Sequence, residues 1–529
     1  MRTEGTYMKE TKEKISYKDE NFKREGISFD EDLESYVDTN ELNELKVEND
    51  KLSELARIML SDIKEIYSSW CWKITFPIRA VINLFTIGQI EGILPGYLLA
   101  ENPYEKLLFS DEENAEMLFK TNGFDTFDAL EEGKKSNVVR ELLKQYNPKP
   151  WNVSAEERIR LLKKDIESGK KIVVHIYDIA DASTFRYTCY NVAQYMENNG
   201  TYGVHYFFQT EYRIVSRYID HISLLVFCRT KWRISYSDLI KEAKSKSIPI
   251  VMQIDDLVCS MDYLEYILKM NLDKKGSDFI YDSWFSNVSR LERIAREVDS
   301  FIVTNDYLGE SLKKTFNKEY VVIRNSLNRE QISISQKLLE IQSEGVRDKF
   351  IIGYFSGSPT HKKDLEVIID DIKRLLDNYS DIVFLMVGYM ELPYSFKKYI
   401  KSGRVIVKKL VNFLELQYLI SLADVNMVPL EDNIFTNCKS ELKFFEAAIV
   451  GTITVATPTY TYKNCISDRT DGFLCRPGEW YQTIADIHDG KYDIPSMVER
   501  AKNKALDRYS GNTVVEEIEK AYCRLLGES

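Results

Sequence analysis

The feature that most constrains this chain is an alternation of short apolar β-rich runs with helical stretches, and it occurs twice. The first series has strand-like runs at 171–176, 204–208, 223–227, 248–254, 301–303 and 320–323. Helical segments separate most of them, including 185–197. The second series has strand-like runs at 350–354, 382–387, 405–407, 425–428, 452–456 and 472–474, with helices expected at 363–378, 413–423, 441–450 and near the C-terminus. Strands alternating with helices predict a parallel sheet covered on both faces. Two series predict two Rossmann-like α/β halves, joined near residues 330–348. Ligands of such sheets bind outside the carboxyl ends of the strands, so two facing halves leave a cleft between those ends.

A length of 529 residues suits two or three domains. A net charge of -12 argues against a general nucleic-acid binder, which would carry a basic stripe. The eight cysteines are scattered with no CxxC pair, which disfavours a disulfide framework or a zinc site and fits a reducing cytoplasm. Residues 1–40 read as a polar tail and 41–150 as a helical extension. Leu45, Leu52, Met59 and Ile66 fall seven apart, a pattern that suits either a short coiled coil or one amphipathic helix. The acidic, polar N-terminus reads as a tail and not as a signal peptide. The apolar stretch 74–100 is broken by Pro77, Gly88, Gly92 and Pro95. It reads as helices packed on the body or as a segment lying on a membrane surface, not as a spanning helix. Residues 151–330 and 331–529 are the two α/β halves, with the question open whether the last helix returns to the first half.

The densest chemical signal is the run 436–448, after the strand at 425–428. On a continuous helix Lys439, Lys443 and Glu446 would share one face. Two cations near a helix start are disfavoured by the dipole unless an anion binds there, and a diphosphate would meet both. Glu446, one turn deeper, could accept hydrogen bonds from ribose hydroxyls. A solvated face with a Lys443–Glu446 ion pair is the structural alternative. A second signal follows the strand at 350–354, where Gly357 and Ser358 allow close backbone approach to a phosphate and Lys362 adds charge. This is neither a P-loop nor a GxGxxG motif, and a structural turn is its alternative. A third signal is Asp255-Asp256, which ends an apolar strand where a cleft would lie. It suits contact with the transferred sugar, proton handling, or simple helix capping.

The stretches 178–187, 253–257, 353–364 and 437–448 resemble the retaining glycosyltransferases of family four, which have the GT-B fold, closest to bacterial members that build surface polysaccharides. The run 440–447 is the most specific of them, and 69–79 resembles a linker seen before such domains. The resemblance covers roughly 170–510. It implies a nucleoside-diphosphate sugar held mainly by the second half, an acceptor held mainly by the first, retention of anomeric configuration, and no bound metal or other cofactor. Lys362 and Lys443 match positions that hold the donor diphosphate, and Glu446 matches the second acid of an E-x7-E motif, which contacts the ribose. The first acid of that motif falls at Cys438, a family arginine falls near Ser356, and a family histidine falls at Asp255.

The candidate catalytic residues are therefore Asp255, Lys362 and Lys443. The candidate donor-binding residues are Gly357, Ser358, Asn437, Lys439, Ser440 and Glu446, and no metal-ligand set is read. The expected partners are a nucleotide sugar and a glycan, lipid-linked or protein acceptor, without nucleic acid. The N-terminal helices offer a route to self-association, and the expected place is the cytoplasm or the inner face of the membrane. Transfer to a protein such as flagellin, nucleotide-sugar epimerisation and a non-catalytic scaffold are the competing functions.

Overall fold

In the computed structural model the described residues are 133–271, 278–342, 349–357, 362–388 and 392–528. The polar tail, the heptad-like stretch, the linker-like 69–79 and the apolar segment 74–100 lie outside them.

The first sheet contains β1 (Lys171–Tyr177), β2 (Tyr202–Phe208), β3 (Ile222–Cys228), β4 (Ile250–Ile254), β5 (Ser300–Val303) and β6 (Tyr320–Val322). All neighbours are parallel, in the order β2-β1-β3-β4-β5-β6. The second contains β7 (Phe350–Ser356), β8 (Ile382–Gly388), β9 (Val405–Lys408), β10 (Val425–Val428), β11 (Ile453–Ala456) and β12 (Phe473–Leu474), again all parallel, in the order β12-β11-β10-β7-β8-β9. Strands covered on both faces read as continuous apolar runs, and every residue of β4 and β10 is buried. The strand order reverses between β1 and β3 in the first sheet and between β7 and β10 in the second, and crevices open at such points.

Side chains alternate between cores with the two-residue period of a strand. Ile172, Val174 and Ile176 of β1 face a core of the first half, which also holds Tyr236 and Ile294. Val173 and Tyr177 face a larger core that runs through both halves and takes in Leu338, Ile351, Phe445 and Tyr522. The helix Arg329–Gln342 connects the halves and packs on the helix Phe413–Ser421. The final helix Gly511–Leu525 lies against the first half: Tyr522 Oη is 3.0 Å from His175 Nε2, and Asn199 Nδ2 donates to Glu519 at 2.6 Å.

Three helical expectations are modified. The stretch 185–197 opens with a π-turn, Arg186–Tyr190, before the α-helix Asn191–Met196. The stretch 363–378 breaks into Lys362–Glu366 and Ile369–Asn378, because Ile368 leaves helical backbone at φ -122°, ψ 6°. The helix expected from 441 is Leu442–Ala448, ending before Gly451, whose φ of +79° suits glycine.

Candidate functional site

The carboxyl ends of the two sheets meet. Asn305, just past β5, donates through Nδ2 to the Cys438 carbonyl at 2.8 Å, and Asn325, past β6, donates to Ser440 Oγ at 2.9 Å. Both acceptors belong to the segment between β10 and the helix Leu442–Ala448, so the loop carrying the densest sequence motif is held by the first half.

That loop is built differently from the continuous helix expected. A short helix, Ile434–Asn437, is capped by Asn433 with a reciprocal Thr436 bond, and the chain then leaves helical geometry until Leu442. Asn305 and Thr461 draw the 438 and 439 carbonyls outward; Thr461 Oγ1 donates to the Lys439 carbonyl at 2.5 Å. Lys439 therefore does not share a helix face with Lys443 and Glu446, and its ammonium lies 5.3 Å from the Phe435 ring centre. Asn437 is engaged on both sides of its amide, donating to Asp432 and accepting from the Tyr460 N–H at 2.5 Å.

Lys443 is the outstanding group. Its ammonium is buried, lies 5.2 Å from the centre of the Tyr354 ring and has no hydrogen-bond partner among the described residues. Burial pushes its pKa down to about 8, against the opposing pull of Asp364. An unpaired buried cation is costly, so the position suits a ligand that brings the missing anion. Glu446, one turn on, is 3% exposed and receives three donors at Oε1: the Tyr187 hydroxyl, Gln331 Nε2 at 3.2 Å and Arg186 Nη2 at 3.3 Å. The Lys443–Glu446 ion pair that the sequence left open is not formed.

Gly357 follows β7, is exposed, and has open space where a side chain would be. Beside it Gly388 ends β8 at φ +110°, where a Cβ would stand 1.7 Å from the Ser356 carbonyl oxygen. Only glycine lets β7 and β8 close up there. Ser358 lies outside the described residues. Lys362 begins the helix Lys362–Glu366, and its side chain is likewise outside them.

In the first half Asp255 follows β4. It accepts from Arg229 Nη1 at 2.8 Å and from Thr184 Oγ1 at 2.8 Å, while Asp256 accepts from the same guanidinium at 3.2 Å. Burial raises the Asp255 pKa and the Arg229 charge opposes it. Arg229 directly follows β3 and has φ +45°, uncommon for a residue with a side chain and worth about 1–3 kcal/mol of strain.

Arg229, Arg186, Tyr187 and Gln331 were not singled out from the sequence, because each acts on a partner distant along the chain. The local signals were an arginine immediately after an apolar strand and, for Arg186 and Tyr187, their place in the stretch 178–187. Glu441 is a support: it is buried, accepts from the Tyr509 hydroxyl at 2.7 Å, and burial raises its pKa. Cys438, which stands where the resemblance puts an acid, sits in the apolar core of the first half with its thiol pushed up to about 12 by burial. The site therefore has a neutral group there. His175, Cys189 and Cys228 also cluster, fully buried, within 4.8 Å of one another. Their contacts to Thr188, Tyr522 and Gln253 account for them as a core hydrogen-bond network.

Residues 349–489 match the family model described as "Glycosyl transferases group 1". No curated protein matches the sequence. Among solved structures, a glycosyltransferase from Rickettsia africae is 14% identical with a TM-score of 0.47, covering 68% of this chain and 100% of that one. Alr3699/HepE from Anabaena in complex with UDP is 14% identical with a TM-score of 0.45, covering 67% of this chain and 100% of that one. Sucrose-phosphate synthase from Thermosynechococcus elongatus is 12% identical with a TM-score of 0.44, covering 68% of this chain and 100% of that one. No helix among the described residues is long and apolar enough to cross a membrane. With two parallel-sheet halves in the GT-B arrangement and a group 1 glycosyl transferase segment in the second, the chain is a glycosyltransferase.

Proposed function

We propose that the enzyme transfers a hexosyl unit from a nucleoside-diphosphate sugar to an acceptor hydroxyl during bacterial surface glycan assembly, with retention of anomeric configuration. The observation that carries this reading is the Lys443 ammonium, buried against Tyr354 of β7 and without a hydrogen-bond partner among the described residues, one helical turn from the Glu446 carboxylate. The cation suits a diphosphate and the acid suits ribose hydroxyls, so together they suit a nucleoside diphosphate. Lys362, at the start of its helix after β7, supplies a second positive charge.

Sugar transfer needs the departing diphosphate stabilised as its negative charge grows. Lys443 and Lys362 do this through charge, and the buried Lys443 ammonium does so where water is excluded and the interaction is strong. The acceptor comes from the side of the first half, where Asp255 and Arg229 form a fixed polar pair next to Thr184. In a retaining transfer the acceptor oxygen bonds to the anomeric carbon on the face from which the phosphate oxygen departs. That departing oxygen takes the acceptor's proton, so Asp255, already paired to Arg229, orients the acceptor rather than acting as an obligatory base. A lipid-linked or glycan acceptor at the cytoplasmic face of the membrane is the expected partner.

Calorimetry with UDP on Lys443→Ala, Lys362→Ala and Glu446→Ala tests the donor assignment. The lysine changes should weaken UDP more than uridine, and the Glu446 change should weaken both. Unchanged affinity in all three folded variants would sink it.

A further inference from the structure

Arg186, Tyr187 and Gln331 converge on one oxygen of Glu446 from outside the Glu446 helix. Arg186 and Tyr187 belong to the first half, on the π-turn after β1, while Gln331 belongs to the helix connecting the halves. All of these side chains are buried, and Arg186 lies between two rings, 4.1 Å from the centre of Tyr187 and 4.7 Å from that of Phe413. Arg186 Nε is fixed on the Ala182 carbonyl at 2.8 Å. A carboxylate offers about four acceptor positions over its two oxygens. Among the described residues the three donors all fall on Oε1.

We infer that Arg186, Tyr187 and Gln331 are positioning residues that hold Glu446 by Oε1, leaving Oε2 to accept the ribose hydroxyls of the donor, so that nucleoside recognition by the second half depends on contacts made by the first. This rests on the reading of Glu446 as the ribose acceptor. Three donors remove the rotational freedom of the carboxylate before ligand arrives, and a preorganised acceptor loses less entropy on binding. The π-turn is consistent with such a role, since these one-residue expansions of a helix are frequent at functional sites. Because the donors come from the first half and the connecting helix, separating the halves would release Glu446 and weaken the grip on the nucleoside. The two halves are thereby coupled through a bond network that makes no contact with the reacting atoms.

UDP and 2′,3′-dideoxy-UDP, compared by calorimetry on the full chain, test this. Tyr187→Phe removes one donor without changing the ring, and Gln331→Leu removes another at similar volume. Each should weaken UDP about fivefold to tenfold, the worth of about one ordinary hydrogen bond lost through misplacement of Glu446, and change the dideoxy ligand less than about twofold. Arg186→Lys keeps the charge and should fall between wild type and Arg186→Met. Thermal unfolding confirms that each variant is folded, with Tyr187→Phe retained as the mildest change if the others fail. Equal losses for both ligands would make these residues merely structural and overturn the inference. Tighter UDP binding would overturn it too, by showing that the donors compete with ribose, and so would no change in either ligand. Glu446→Ala separates the inference from the reading beneath it. If that variant still prefers UDP over the dideoxy ligand as wild type does, Glu446 is not the ribose acceptor. If it loses the preference while Tyr187→Phe and Gln331→Leu keep it, only the positioning role fails.

Discussion

Replacing Lys443 with methionine should stabilise the ligand-free enzyme while crippling nucleotide binding. The magnitude follows from burial. The ammonium is pushed from the ordinary 10.5 down to about 8. At about 1.4 kcal/mol per pH unit, this corresponds to at most about 3 kcal/mol of cost for keeping it charged in the folded state. The charged form is the penalised one, so the cost is fully present below pH 8. Between 8 and 10.5 the unfolded chain keeps a proton that the folded chain has shed, so stability rises with pH there and the penalty fades. Methionine fills a similar volume against the Tyr354 ring without charge. Urea unfolding at pH 7.0 should therefore show a gain of up to about 3 kcal/mol for Lys443→Met, shrinking at pH 9.5. UDP affinity should fall about tenfold to a hundredfold, the value of a charged hydrogen bond to phosphate. Wild-type enzyme should also take up protons on binding UDP near pH 8.5, seen as a buffer-dependent binding enthalpy. A Lys443→Met protein less stable at pH 7.0 and unchanged in UDP affinity would refute the reasoning.

Other consequences are equally concrete. Arg229→Met leaves Asp255 and Asp256, both partly buried, without their shared cation, so it should cost about 1–3 kcal/mol in unfolding experiments. Arg229→Lys, which keeps the charge but cannot place a donor where Nη1 meets Asp255, Asp256 and Thr184 together, should lower transfer more than it lowers UDP affinity. On the proposal that Lys443 and Lys362 meet the diphosphate charge, transfer should continue in excess chelator; complete loss restored by magnesium or manganese would contradict this. The helix Gly133–Lys144 packs on Arg329–Gln342 and Phe413–Ser421 through residues that include Val139 and Leu142, so a chain beginning at Gly133 should keep UDP affinity whereas one beginning at 150 should aggregate. Liposome flotation and light scattering of the full-length protein against the Gly133 form test whether residues 1–132 carry membrane or self-association.

The strands were legible because a parallel strand buried on both faces is a short continuous apolar run, rich in β-branched residues and bounded by polar segments. β10 was read to the residue, and β1, β4 and β7 within two. Helix ends were harder. Residues 436–450 carry neither proline nor glycine, so nothing local reveals that Asn305 and Thr461 pull the chain out of helical geometry before Leu442. The proposed donor side is local in the sequence, in the order Lys443, Glu446. The proposed acceptor side is only half visible there: Asp255 stands at a strand end, but Arg229 is 26 residues away along the chain and meets it only because β3 and β4 are neighbours. The same holds for Tyr187, which lies 259 residues from Glu446.

The central claim, cleavage and transfer of a nucleotide-bound sugar, is tested most directly by nuclear magnetic resonance of full-length enzyme with a panel of nucleoside-diphosphate sugars, wild type beside Lys443→Met. The expected result is release of nucleoside diphosphate from one donor, faster with acceptor present, with the anomeric configuration of the donor kept in the product and the rate strongly reduced in the variant. If no donor is cleaved, or if the sugar is epimerised while still joined to its nucleotide, the glycosyl transfer assigned to this site is contradicted.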